Sequence, residues 1–219
     1  MNVATKWEEV SLKKFQALNS FIMSDAKMTD LDRSIEIYAL LTDNPDKARD
    51  TLLNMTVDQL SAELSKIHFI VNKYKSKVPE TEYEIDGNKY TVQLNLRNMT
   101  AAQYIDFQNF YKEYEKNQKY IFLCFLIPKG KKYNEGYDVM ELAEDLYDKI
   151  PITIVTDVMV FFCKLLESLT VATLISSMRE MKKLMKKEKD PVKKYQLRKR
   201  IVQARQTLNL VKNGTGFVE

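Results

Sequence analysis

The residues that could carry out chemistry are few and far apart. The chain of 219 residues has a single histidine, His68, and two cysteines, Cys124 and Cys163. A nucleophile needs a base beside it, and a zinc site needs Cys or His at short, regular spacing. Neither pattern is present. Both cysteines sit inside apolar runs, which reads as two buried free thiols in a reducing compartment. The stretch Pro128-Lys-Gly-Lys-Lys-Tyr-Asn-Glu-Gly136 is rich in cations but lacks the glycine spacing and Lys-Ser/Thr of a phosphate-binding loop. The expectation is therefore no catalytic residue, no metal, no cofactor and no enzymatic activity.

Charge is the stronger signal. Between Arg179 and Lys212 there are 13 Lys or Arg against 3 acids, a net +10, which leaves −6 for the rest of a chain whose total is +4. Lys182, Lys183, Lys186, Lys187, Lys193, Lys194, Arg198, Lys199 and Arg200 form the dense part of this region. Such a surface gains from phosphates, whose counterions it releases, or from an acidic protein surface; the third reading is a solvated helical face. An acidic surface exists in the same sequence. From Asp138 to Asp148 there are five carboxylates and no cation, and Asp138, Glu141, Asp145 and Asp148 share one helical face. A di-metal site would need Glu-x-x-His partners that this helix lacks, so the face is read as solvated or as a contact for a basic partner.

The elements that must position these charges are mainly helical. Ser11 caps a first helix with Leu12, Phe15, Leu18 and Ile22 on one face, and Thr29 or Asp30 caps a second, after a polar break from Asp25, with Leu31, Ile35, Tyr38 and Leu41. Pro45 opens a third helix, running to Leu53. Thr56 with Gln59, and Thr100 with Gln103, are two capping boxes, each with a Met before the box to staple the helix start. Val57, Leu60, Leu64, Ile67 and Val71 mark a buried face after the first box; Tyr104, Phe107, Phe110, Tyr111 and Tyr114 mark an aromatic stripe on a helix over 100–117, a core face or, less in keeping with its spacing, a base-stacking surface. Between the boxes, Tyr83 to Leu94 alternates around Asp86-Gly87 and predicts a β-hairpin. An isolated hairpin is marginal, so it must pack on the helices or pair with another chain's edge. The run Tyr120–Ile127 is a buried strand or a buried helix.

The segment 152–178 is apolar on two faces: Val158, Phe161, Phe162, Leu165, Leu169 and Ala172 on one, Val155, Met159, Leu166 and Leu174 on the other. It predicts a helix buried on two faces, at the domain centre or against neighbouring subunits. Asp157, Lys164 and Glu167 interrupt it, and its longest uncharged run is short of the ~20 residues of a bilayer span, so no membrane span is expected. The first nine residues have no apolar run, which reads as no secretory signal. The helix runs on to Lys187, Asp190 and Pro191 start a last helix with the stripe Leu197, Ile201, Ala204, Leu208 and Val211, and Asn213-Gly214 ends it. The fold expected is mainly α: a helical domain with one small inserted β-hairpin and a C-terminal helical hairpin. Its organisation is 1–78 helical, 79–97 hairpin, 98–178 central core helices and 179–219 basic hairpin arm, or all of these in one domain.

Several stretches resemble tail-assembly and minor structural proteins of tailed bacteriophages, in the style of phages of Bacteroides-type hosts, including the crAss-like group. They are Trp7-Glu-Glu-Val-Ser-Leu-Lys-Lys-Phe15, Ile35-Glu-Ile-Tyr-Ala-Leu-Leu-Thr42, Leu64 to Phe69, the Ile-Asp-Gly of the hairpin, Lys-Lys-Tyr-Asn-Glu-Gly-Tyr137 and the pair Phe161-Phe162. The resemblance covers most of 1–165 and leaves out the basic hairpin. It implies a tail or neck component of the virion acting in several copies, or an assembly chaperone absent from the mature particle. Its partners would be other phage structural proteins and further copies of the chain, with nucleic acid as a further option for the basic hairpin. It would be located in the virion after assembly in the host cytoplasm. No catalytic residue carries over from it.

Overall fold

A computed structural model describes residues 2–24 and 27–212. The side chains of Tyr114, Leu166 and Val211, the Asp25 start of the polar break and the Asn213-Gly214 stop lie outside the described residues. The fold is mainly α, with a small antiparallel sheet and a C-terminal pair of helices packed as a hairpin. The chain divides into two compact units, Met1–Val160 and Phe161–Glu219. The boundary falls inside one continuous helix.

Unit 1 begins with short helices whose starts are set by side-chain caps. Ser11, Thr29, Asn44, Thr56 and Thr100 each accept a backbone N–H at the start of α1 (Leu12–Met23), α2 (Asp30–Leu40), α3 (Pro45–Leu53), α4 (Val57–Ser65) and α5 (Ala101–Tyr111). Each such bond satisfies a donor that the helix itself leaves without a partner. Both capping boxes close reciprocally, through Gln59 and Gln103. Gln103 is buried, and its side-chain amide donates to the carbonyl of Cys124, which ties the start of α5 to the end of α6 (Tyr114–Leu123).

The sheet differs from a lone hairpin. β1 (Glu82–Ile85) and β2 (Asn88–Val92) are joined through Asp86 (φ 52°) and Gly87 (φ 75°), the left-handed pair that a tight two-residue reversal requires. A third strand, β3 (Leu126–Pro128), pairs antiparallel with β2, Val92 facing Leu126 and Tyr90 facing Pro128. The edge of β2 is thus covered by the chain itself and does not need another chain. The run 120–127 is neither one strand nor one helix, because α6 ends within it and β3 begins within it.

Three other expectations need correction. The helix over 100–117 is two helices, α5 and α6, folded back on one another. Phe107 stacks edge-on against Phe125 (5.4 Å), Phe110 lies 5.3 Å from Tyr120, and Asn117 donates to the Phe110 carbonyl. Packing of these rings outweighs the helical propensity of the connecting residues. On the face assigned to this helix, only Ile67 is buried; Val57 is exposed in the first turn of α4, and Val71 is exposed since α4 ends at Ser65 and a 3-10 turn (His68–Val71) follows. Of the first two helical faces, Ile22 and Leu31 are exposed, whereas Leu12, Leu18, Ile35, Tyr38 and Leu41 are buried.

The core of unit 1 is built from Val10, Leu18, Tyr38, Leu41, Leu52, Ile121, Phe122, Phe125, Leu126, Leu146 and Ile150, all essentially without solvent exposure. α7 (Val139–Tyr147) adds Val139, Ala143 and Leu146. The first turns of α8 (Ile152–Lys187) complete it with Ile152, Val155 and Val158. The backbone of Val10–Leu12 pairs with Ile150–Ile152, which fixes where α8 starts. Asp157 is buried there. Its carboxylate accepts from the Tyr74 hydroxyl (3.0 Å) and the Lys77 amide (2.7 Å), pinning the extended segment around residues 72–78.

Unit 2 is the remainder of α8 and α9 (Pro191–Lys212). Asp190 caps α9 by accepting from Val192 N (2.8 Å). Burial marks the seam of the hairpin: Val171, Leu174, Ile175, Met178, Met181 and Met185 of α8 and Leu197 and Ala204 of α9 are half-buried, and Ile201 and Leu208 of α9 are buried. Both predicted faces of α8 are buried over its first turns, at Val155, Val158 and Phe162, but the described apolar side chains beyond them are half-buried or exposed. Phe162, Ile201 and Leu208 are the only buried apolar side chains among the described residues of unit 2. Leu169 is 48% exposed, and Ala172 faces solvent. A two-helix hairpin has one seam, so one side of α8 is covered and the other is not.

Candidate interaction surfaces

The groups expected to do chemistry are scattered. His68 is exposed in its 3-10 turn. Cys124 is buried, with burial pushing its thiol up to about 12. Cys163 is exposed rather than buried, because it lies on α8 past the core of unit 1. Among the described residues, no group of three or more His, Cys, Asp or Glu side chains sits close enough to hold a metal ion. An open groove of about 410 Å³ in unit 1 is lined mainly by Trp7, Phe15, Leu18, Ile22, Ile70 and Ile152. The Tyr74 hydroxyl at this groove is already taken by Asp157.

The two thiols give a direct check on these environments. An alkylating reagent at mildly alkaline pH should modify Cys163 in the folded chain and leave Cys124 untouched until denaturant is added. Burial also raises the Tyr74 hydroxyl to about 12, and it raises the Tyr38 and Tyr133 hydroxyls further. Each of these groups holds its proton more tightly folded than unfolded. The linked stability is therefore fully present below about pH 9 and is lost as the pH climbs toward about 12. The urea midpoint of unit 1 should fall across that window.

The acidic face is largely engaged inside unit 1. Asp138 caps α7, accepting from Met140 N (2.8 Å) and Glu141 N (3.0 Å). Asp148 pairs with Lys13 (2.8 Å), Asp145 with Lys149 (3.4 Å), and Glu144 with Lys119 (2.7 Å) and the Tyr120 hydroxyl (2.6 Å). The bonds from Lys119 and Tyr120 hold the Glu144 carboxyl below its usual range. Of this face, Asp138 and Glu141 have no cation partner among the described residues, and Asp138 is taken up by its cap. Only Asp148 and Glu144 had cation partners that spacing along the helix could not foresee, since Lys13 comes from α1 and Lys119 from α6.

The basic residues behave in the opposite way. Lys182, Lys183, Lys186, Lys187, Lys193, Arg198, Lys199 and Arg200 are exposed and Lys194 is half-buried. The hairpin brings Lys187, Lys193 and Arg200 around one cleft of about 340 Å³, together with Glu188 and Gln196. Among the described residues every ion pair lies in unit 1, and no Lys or Arg from Arg179 to Arg205 has one. Unit 2 holds 14 Lys or Arg against 5 acids, a net +9, while unit 1 is −5. Lys182 with Lys186, and Lys183 with Lys187, are like charges one turn apart, each pair costing ~0.2–0.5 kcal/mol. Lys186 and Lys187 gain from the C-terminal end of α8, but Lys193 and Lys194 oppose the N-terminal end of α9.

α8 is also the one helix, among the described residues, long and apolar enough by length and composition to cross a membrane. Its first turns lie in the core of unit 1, where Thr153 and Asp157 are buried. The stretch beyond unit 1, from Phe161 to Met178, is about 18 residues, roughly 27 Å at the helical rise against ~30 Å of hydrocarbon, and carries Lys164 and Glu167. No protein-family model matches the chain, and neither does any curated protein or solved structure.

Proposed function

We propose that this protein is a non-enzymatic structural or assembly component of a tailed bacteriophage, in the tail or neck, working in several copies through helical contact surfaces. The observation that carries the contact reading is unit 2. Its hairpin has three buried apolar side chains among the described residues, an uncovered side of α8 and a run of cations without ion-pair partners. A core that small does not offset the conformational entropy of ordering two long helices. The missing burial and the missing anions have to come from a partner. The phage assignment rests on the sequence resemblance of residues 1–165. It places the protein in the virion after assembly in the host cytoplasm; a chaperone that leaves before maturation uses the same surfaces. The short apolar reach of α8 beyond unit 1, broken by Lys164 and Glu167, favours protein contact over a membrane span.

Binding to nucleic acid is a second reading, favoured by the unpaired cations. It requires an affinity that falls steeply with salt. Co-expression with the tail and neck proteins encoded beside its gene, followed by light scattering of the purified product, tests the first reading. A mass corresponding to several copies or to a complex is expected. A strict monomer that binds none of those proteins contradicts it.

A further inference from the structure

α9 carries two apolar stripes. Leu197, Ile201, Ala204 and Leu208 form the first and face the seam. Val192, Tyr195 and Val202 form the second, at the three- and seven-residue spacing of a helix–helix contact. At about 100° per residue, the second stripe lies on the opposite side of the helix from the first. It is uncovered: Val192 is 63% exposed, Tyr195 68% and Val202 54%. Arg198, Lys199 and Arg205 lie on or beside it, exposed and without ion-pair partners among the described residues. A helix that needs only one covered side has polar residues on the other.

We infer that this outer face of α9 binds an acidic amphipathic helix from another protein. The apolar stripe of that helix rests on Val192, Tyr195 and Val202, and its Asp or Glu side chains lie beside Arg198, Lys199 and Arg205. The inference rests on the contact reading above and names the chemistry of the partner. Charge and apolarity together select this occupant. A nucleic acid supplies anions for the three cations but leaves the three apolar side chains in water. The unit 2 of a second copy repeats the same +9 and repels. The α7 of a second copy is acidic, yet Val139, Ala143 and Leu146 are buried in its own unit 1 and most of its carboxylates are engaged there. A separate acidic helix satisfies both requirements.

Fluorescence anisotropy with the full chain tests this. The probe is a labelled peptide of about 21 residues, three heptads with Leu at the a and d positions and Glu at the flanking positions. The controls are a shuffled peptide of the same composition and a DNA duplex of about 20 base pairs. The heptad peptide should bind about tenfold or more tightly than the shuffled one. Val192→Ser with Tyr195→Ser and Val202→Ser should weaken it about tenfold or more, and so should Arg198→Glu with Lys199→Glu and Arg205→Glu. All six side chains are exposed, so far-UV circular dichroism should show the helices retained. Equal binding of the shuffled peptide or the duplex, an affinity unchanged in both variants, or no binding of the heptad peptide overturns the inference. If the peptide fails while the chain still assembles with the neighbouring tail proteins, this inference alone falls. If both fail, the contact reading falls with it.

Discussion

Phe122→Ala should cost unit 1 about 3–5 kcal/mol, the range for emptying a buried aromatic site. Phe122 is fully buried near the end of α6, a helix in contact with α5, α7 and β3. Those neighbours are held by independent constraints: Gln103 ties α5 to the Cys124 carbonyl, and the ladder with β2 holds β3. They cannot all move inward to fill the void, so the cost lies toward the upper end. For a unit of this size, the loss corresponds to roughly 6–20 °C in Tm. Urea titration followed by tyrosine and tryptophan fluorescence reads it. A loss below about 1 kcal/mol would mean that the site collapses freely and that α6 is not central to unit 1.

Asp157→Ala should cost about 2–4 kcal/mol. The buried carboxylate accepts from the half-buried Tyr74 hydroxyl and the Lys77 amide. Removing the acceptor loses two hydrogen bonds to a charged group, each worth ~1.5–3 kcal/mol, less what water restores at half-buried Tyr74 and exposed Lys77. Relief of a desolvated charge offsets part of this, but such relief dominates only when the partners are replaced too. Asp157→Asn keeps one acceptor oxygen and should lose about half as much. The Lys77 amide should exchange with solvent faster in Asp157→Ala than in the wild type. Unchanged exchange at Lys77 would show that the bond does not hold the 72–78 segment.

What could be read from the sequence was what nearest neighbours decide. Ser11, Thr29, Thr56, Thr100 and Asp190 cap their helices because a cap depends on three or four consecutive residues. Asp86-Gly87 makes its reversal for the same reason. β3 was hidden, since a three-residue strand exists only by pairing with β2, far away in sequence. The break between α5 and α6 was hidden too, because ring packing sets it and no Gly or Pro marks it. The limit of the core along α8 was least legible. Leu165 and Leu169 are as apolar as Val155 and Val158, and only the neighbours differ.

The charged surfaces divide in the same way. That Lys182 to Arg200 form an exposed cationic helix pair followed from composition and periodicity. That the acidic face of α7 is mostly engaged did not, because Lys13 and Lys119 reach it from α1 and α6. The second stripe of α9 was available as the spacing 192, 195, 202, but the longer stripe through Leu197 and Leu208 is the stronger pattern.

Hydrogen exchange of the isolated monomer, at a concentration where light scattering shows no assembly, tests the central claim most directly. If unit 2 depends on a partner, amides of α8 beyond Cys163 and of α9 should exchange about a hundredfold or more faster than those of Tyr38, Phe122 and Leu146 in the core of unit 1. They should slow toward the core rate when a partner binds. Equal, strong protection of both units in the free monomer would contradict it, showing a hairpin that is stable without contact.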